Sequence, residues 1–187
     1  MGHLPALVAD NILLLEQCAD VLEQVPPEVY AHADPRCLGS CVGGHVRHCL
    51  EHYASFLDGL DAGLIDYERR ARDRRLQADP DAARRALRRT ASDLARGLTF
   101  AGLERTLRIV AEGDTSDGDL TASTIGRELS FLLSHTIHHC ALIAVLLRLG
   151  GLDTPAGFGL APSTMRHRDA LASRSPAPDP HFVACAR

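Results

Sequence analysis

The stretch TIGRELSFLLSHTIHHCALIAVLLRL, residues 124 to 149, constrains the fold more than any other part of the chain. It contains no proline, its apolar residues recur at helical spacing, Ser123 stands before it as a cap, and Gly150-Gly151 follow it as a C-cap. The spacing predicts a helix over about 124–149. It is the most apolar of the predicted helices and belongs at the centre of the fold, because so broad an apolar surface must be covered by neighbours.

Three further runs can supply that cover. Between residues 4 and 25, Leu7, Leu14, Leu15, Cys18, Val21 and Leu22 recur at helical spacing until Pro26-Pro27 stops the run. Ser40 can cap a second helix reaching about residue 62, with Val42, Val46, Cys49, Tyr53, Phe56 and Leu60 on its apolar face. Gly43-Gly44 lower propensity in its first turn and let a neighbouring backbone come close. Asp79 and Pro80 give an N-cap and a first-position proline to a third helix, reaching about residue 98, whose Arg84, Arg85, Arg88 and Arg89 read as a solvated side. Residues 28–39 lack a period and residues 63–78 are charge-dense. Residues 103–111, LERTLRIVA, alternate in part, which predicts a short strand or an extended link before the last helix. No good alternating strand set accompanies it. The fold class expected is all-α, an up-and-down four-helix bundle in one domain over residues 1–169, with residues 170–187 as a flexible tail.

Composition narrows the function classes. With 45% apolar residues in 187, one domain can bury a core. His138, His139 and Arg148 break the apolar stretch 137–149, so no segment supplies the roughly 20 apolar residues of a membrane span, and the first 15 residues lack the basic start of a secretory signal. A soluble, cytoplasmic protein with no membrane partner is expected. A net charge of −4 provides no basic field for nucleic acid. The six cysteines, at 18, 37, 41, 49, 140 and 185, are irregularly spaced and read as reduced thiols, Cys49 and Cys140 as packing residues.

Six of the ten histidines fall in two clusters on the two helices that should pack best. In GHVRHCLEH, His45, His48 and His52 lie within about 60° of one another around the axis, and in SHTIHHC, His135 and His139 stand one turn apart. A single histidine is more often a packed or surface residue than a ligand. A facing set differs, since neutral rings meeting in an apolar bundle leave nitrogens without partners at about 1–3 kcal/mol each. Two imidazoles from one helix and one from another make a three-nitrogen cap for a divalent ion with an open position. Zinc, nickel, iron(II) and copper all suit imidazole.

These motifs carry a resemblance. SCVGGHVRHCLEHYASFL and RELSFLLSHTIHHCALI resemble the second and last helices of the DinB-like superfamily, whose bacillithiol and mycothiol transferase relatives are metalloproteins; the likeness covers about residues 4–150. It implies an up-down-down-up four-helix bundle with one divalent ion held by His48, which is followed by Glu51 as in the family pattern, and by the H-x-x-x-H pair His135 and His139. Iron enzymes of the superfamily extend that pair to H-x-x-x-H-x-E. Here Ala141 takes the last position, so their sulfoxide-forming chemistry is not implied.

Such an ion would make a nucleophile of water or a thiol, and the resemblance implies a low-molecular-weight thiol attacking a small electrophilic substrate. Glu128, seven residues before His135, and Glu51, three after His48, are the candidate catalytic carboxylates, as proton acceptor or as orienter of an imidazole. His45, His52 and His138 are candidates for the surrounding shell or pocket wall. Arg47 and Arg127 could hold a substrate carboxylate or simply form surface ion pairs. Tyr67 and the segment from Phe158 could close the mouth. The first reading is a metal-dependent transferase or hydrolase, homodimeric by family analogy. The alternative is a non-catalytic metal-binding or stress-response bundle with a closed coordination shell, and a purely structural helical domain ranks third.

Overall fold

Proline and capping side chains set most helix boundaries. The structure, a computed structural model, describes residues 5–98, 102–110 and 120–172. Helix α1 (Ala6–Leu22) starts after Pro5, and Pro27 opens a short α2 (Pro27–Ala31), a helix not anticipated in the connection. A 3-10 turn (Pro35–Cys37) leads to α3 (Val42–Gly59). The cap of α3 is Cys41 and not Ser40: its sulfur accepts from the Gly44 N–H at 3.3 Å, while the Ser40 hydroxyl donates to the Cys37 carbonyl. After β1 (Leu64–Ile65) and α4 (Arg74–Ala78), α5 (Pro80–Gly97) carries the expected Asp79 cap, which accepts from Ala82 N–H at 2.9 Å. Strands β2 (Thr106–Val110) and β3 (Leu120–Thr124) lead into α6 (Ile125–Leu149). Its cap is Thr124; the Ser123 hydroxyl, expected in that role, instead donates to Glu128. Helix α7 (Pro162–Ala172) follows.

Helices α1, α3, α5 and α6 form the bundle, α1 and α3 each packing on both α5 and α6. Their directions follow from which ends meet. Gly43, at the start of α3, lies against Gln77, just before α5, so α3 and α5 run parallel. Asn11 near the start of α1 donates to the Leu129 carbonyl near the start of α6, so these two also run parallel. The end of α6 meets the α2–α3 connection through Arg36 and the Leu149 carbonyl, which sets α6 and α1 antiparallel to α3 and α5. This is the up-down-down-up order. Between α1, α3 and α6, the Tyr53 hydroxyl donates to Asn11 at 2.7 Å and Thr136 reaches that hydroxyl at 3.4 Å, so the core's polar groups find partners.

The short strand expected within residues 103–111 forms as β2, and it sits in a three-stranded sheet whose other two strands the sequence reading did not include. The order is β1-β2-β3, with β1 parallel to β2 (Leu64 opposite Arg108) and β2 antiparallel to β3 (Thr106 opposite Thr124). It stands at the end of the bundle where α3 finishes and α6 begins. Residues 120–124 alternate too weakly for the strand to be read from their text; pairing with β2 makes them extended. Helix α7 likewise forms where a loop and the start of a tail were expected; of the expected tail, residues 173–187 lie outside the described residues. Helix α6 forms where expected, and although His138, His139 and Arg148 interrupt its apolar run it is sufficient by length and mean hydropathy to cross a membrane. In the bundle its apolar side is spent on the core: Leu129, Leu132, Ile143 and Leu147 are at most 1% exposed.

The close approach of Gln77 makes Gly43 a sensitive position, since a methyl there would overlap the Gln77 carbonyl oxygen and lie 2.7 Å from the Tyr30 ring. Gly43→Ala is expected to lower unfolding free energy by about 1–3 kcal/mol in urea titrations. Gly97→Ala, whose added carbon meets nothing, should leave it unchanged or slightly higher.

Candidate metal centre

Side chains of α3 and α6 meet along the helix contact, and histidines fill its middle. The ring centroids of His48, His135 and His139 form a nearly equilateral triangle, 4.9, 4.7 and 4.5 Å on its sides. A tetrahedral ion about 2.1 Å from each nitrogen places imidazole centroids roughly 5 Å apart. His52 makes a second triangle on the same edge, 4.4 Å from both His48 and His135. Donor atoms of His48, His52 and His135 all lie within 4.8 Å of one another.

Hydrogen bonds distinguish the rings. His52 Nδ1 is 2.9 Å from the His48 carbonyl, so it donates there and leaves Nε2 as an acceptor, the state in which a histidine ligates. His139 Nδ1 lies 2.9 Å from His45 Nδ1, one ring carrying the shared proton. His48 Nδ1 accepts from Arg70 at 2.7 Å, which puts the ring proton on Nε2, so His48 would give up this hydrogen bond on taking a metal ion. Among the described residues His135 Nε2 is buried with no hydrogen-bond partner, and such an orphan is costly unless something else binds it. That atom and the neutral nitrogen donors around it fit a divalent cation: three histidines here could hold one. His138 is exposed, its ring 5.2 Å from His139, on the outer side of the pair.

Burial keeps the cluster uncharged. Loss of solvent, then repulsion from neighbouring rings, pushes His48 and His139 down to about 3 and His135 to about 4. His45 and His52 are lowered as well, burial again being the main cause. All five are therefore uncharged at neutral pH, each ring keeping one N–H and offering one lone pair, as histidine metal ligands do. The Cys49 and Cys140 thiols are driven up, Cys49 chiefly by burial and Cys140 by a hydrogen bond with Cys18 and then by burial. Both stay protonated in the core as packing residues, not nucleophiles.

One face of the cluster opens on a cavity of about 700 Å³, onto which His48, His52 and His135 look but His139 does not. Tyr67 stacks on His52 at 5.4 Å, and Phe131 stacks on His135 at 5.4 Å. The three-stranded sheet supplies the opposite wall through Ile109, Val110 and Ala122. The segment from Phe158 does not line this cavity; Gly159 packs instead against Ala141 of α6.

The two carboxylates are placed differently. Glu128 is fully buried and accepts from the Tyr67 hydroxyl at 2.9 Å, Ser123 at 2.6 Å and Arg127 at 2.7 Å. It braces the Tyr67 wall, and that phenol is raised by burial and by Glu128, so it stays protonated and donates. Glu51 accepts from the Asp73 backbone N–H at 2.9 Å, and Arg47 stands 4.0 Å from it. Its hydrogen bond holds the 66–73 segment to α3 and orients no imidazole. Sequence reasoning missed Arg70, which lines the cavity: in a text of seven arginines between residues 69 and 85, nothing marks the one that the loop turns inward.

A family model described as the DinB family matches residues 14–166. A protein described as FK506-binding protein 5, from Rhizopus delemar, is 32% identical over 106 residues, which are 56% of this chain and 27% of that protein. The chain thus spans about a quarter of the length of the curated relative it matches. No solved structure matches.

The lowered histidines set a pH dependence in the metal-free protein. An unfolded histidine takes a proton near pH 6.5, whereas the folded rings resist it until pH 3–4, so the unfolded state binds more protons in between and stability is lost there as the pH is lowered. Thermal melts should be flat above about pH 7 and decline from about 6.5 to 5. The double variant His48→Gln, His135→Gln should flatten that decline; an equally steep wild-type and variant profile would mean that the rings are not its source.

Proposed function

This chain belongs to the DinB family, and on that premise we propose that it is a metal-dependent enzyme that activates a thiol or water for attack on a small electrophile. The observation that carries the proposal is the convergence of neutral imidazoles, one with an orphaned nitrogen, at the inner end of a cavity large enough for a small molecule. A bound divalent ion would supply the positive charge that makes a thiolate or hydroxide available near neutral pH.

The ligand set proposed is His48, His135 and His139. His139 backs the cluster away from the cavity, and its Nδ1 contact with His45 holds the ring in place. His52 lines the cavity beside His48 and His135, where it would serve as a proton acceptor or a substrate contact. Tyr67 and Phe131 shield the rings from bulk water, and Glu128 keeps Tyr67 in position through its hydroxyl. Exclusion of water strengthens every charge interaction in the site.

One observation favours a second reading. With donor atoms of His52 as close as those of the other two rings of its trio, a fourth imidazole is available to close the shell, giving a non-catalytic metal-binding bundle.

Elemental analysis of tag-free protein tests both. Wild type is expected to hold about one divalent ion per chain, and His48→Ala, His135→Ala and His139→Ala to lose it. Equal trace metal in all of them would end the proposal. His52→Ala should retain the ion; its loss there, with retention in His139→Ala, would move the third ligand to His52, and loss in all four would support the closed shell.

A further inference from the structure

Among the described residues, the cavity wall carries a cation with no anion paired to it. Arg70 lies in the segment between β1 and α4, and one of its terminal nitrogens donates to His48 Nδ1 at 2.7 Å, a contact that brings no negative charge to the guanidinium. Its Nε is buried and has no hydrogen-bond partner. Among the described residues no carboxylate pairs with it, not even Glu68, which shares the same wall. The neighbouring arginines each have a carboxylate beside them: Arg127 is held by Glu128 at 2.7 Å and lies over the Phe131 ring, and Arg47, whose Nε also lacks a hydrogen bond, stands 4.0 Å from Glu51.

We propose that Arg70 is the docking residue for a carboxylate on the substrate, so that the cavity takes small monoanionic molecules with an apolar or aromatic body. The proposal deepens the reading of this site given above and rests on it for the chemistry, though not for the binding. A guanidinium offers a planar fork that a carboxylate meets with two hydrogen bonds. One uncompensated positive charge balances one negative charge, which favours a carboxylate over a phosphate dianion, the more so with Glu68 nearby. The body of such a molecule would lie along Tyr67, Phe131, Ile109, Val110 and Ala122. Because Arg70 contacts His48, a docked carboxylate would stand next to the histidine cluster and hold the rest of the molecule at its open face.

Benzoate and its neutral counterpart benzamide are suitable probes, titrated by calorimetry into the full chain, both metal-loaded and metal-stripped. Benzoate is expected to bind more tightly than benzamide or inorganic phosphate in both states. Arg70→Gln should weaken benzoate at least about tenfold without altering benzamide, Arg70→Lys should recover part of the loss, and Arg148→Gln, remote from the cavity, should change nothing. In the wild-type protein the Arg70 Nε resonance should shift on adding benzoate, a readout independent of whether any variant folds. The proposal is overturned if benzoate does not bind, if Arg70→Gln binds it as wild type does, or if binding disappears when metal is removed, because the ion alone would then hold the carboxylate. The metal-stripped arm reads Arg70 by itself, so a protein that holds no metal would refute the proposed function and leave this inference standing.

Discussion

The contact between α3 and α6 is the constraint on which the site depends. Two antiparallel helices press imidazoles together where a bundle would ordinarily place leucines, and the arrangement is tolerable only because the rings stay neutral. Directly beside the histidines, the Asn11, Tyr53 and Thr136 cluster ties α1, α3 and α6 at a fixed spacing. Tyr53 follows His52 and Thr136 follows His135 in the chain, so the polar clamp and the histidine cluster are set by the same helical turns. A packed interior resists small displacements, and the spacing of the rings inherits that stiffness.

The remainder of the cavity is built by elements outside the four long helices. The sheet closes one end, the 66–73 segment bends over the side, and Glu51 and Glu128 fasten these pieces to α3 and α6. Both carboxylates are buried, and both are paired with donors: Glu128 with three, Glu51 with a backbone amide. Buried acids are retained at low cost only under that condition. Their work is to hold a wall in place. Among the described residues the arginines complete the local balance, Arg127 pairing with Glu128 and Arg70 having no carboxylate partner.

Membership of the DinB family covers most of the chain and agrees with the up-down-down-up order derived from which helix ends meet. It leaves substrate and reaction open. The fungal relative adds little on either point, since the shared region is a minor part of that longer protein. His52, the third histidine of α3, adds a ring on the cavity side to the triangle of His48, His135 and His139.

Much of this was legible in the residues alone. Helical periodicity and proline stops located α1, α3, α5 and α6 to within a few positions, because a 3.6-residue period is a local property that each segment expresses by itself. The histidine spacing marked the site for the same reason: rings one turn apart share a face wherever the helix is placed. Periodicity did not reveal that His52 joins His48 and His135, that Cys41 and Thr124 displace Ser40 and Ser123 as caps, or that β3 exists, since each depends on what the segment meets. Arg70 is the clearest case. One arginine in a charge-dense link has no local signature, and only the path of that link across α3 brings its guanidinium to His48 while leaving its neighbours in solvent. Local spacing determined which helices form and which histidines face inward; tertiary packing decided which distant groups those histidines meet, because contacts between segments far apart in the chain are set by the whole arrangement and not by any one of its parts.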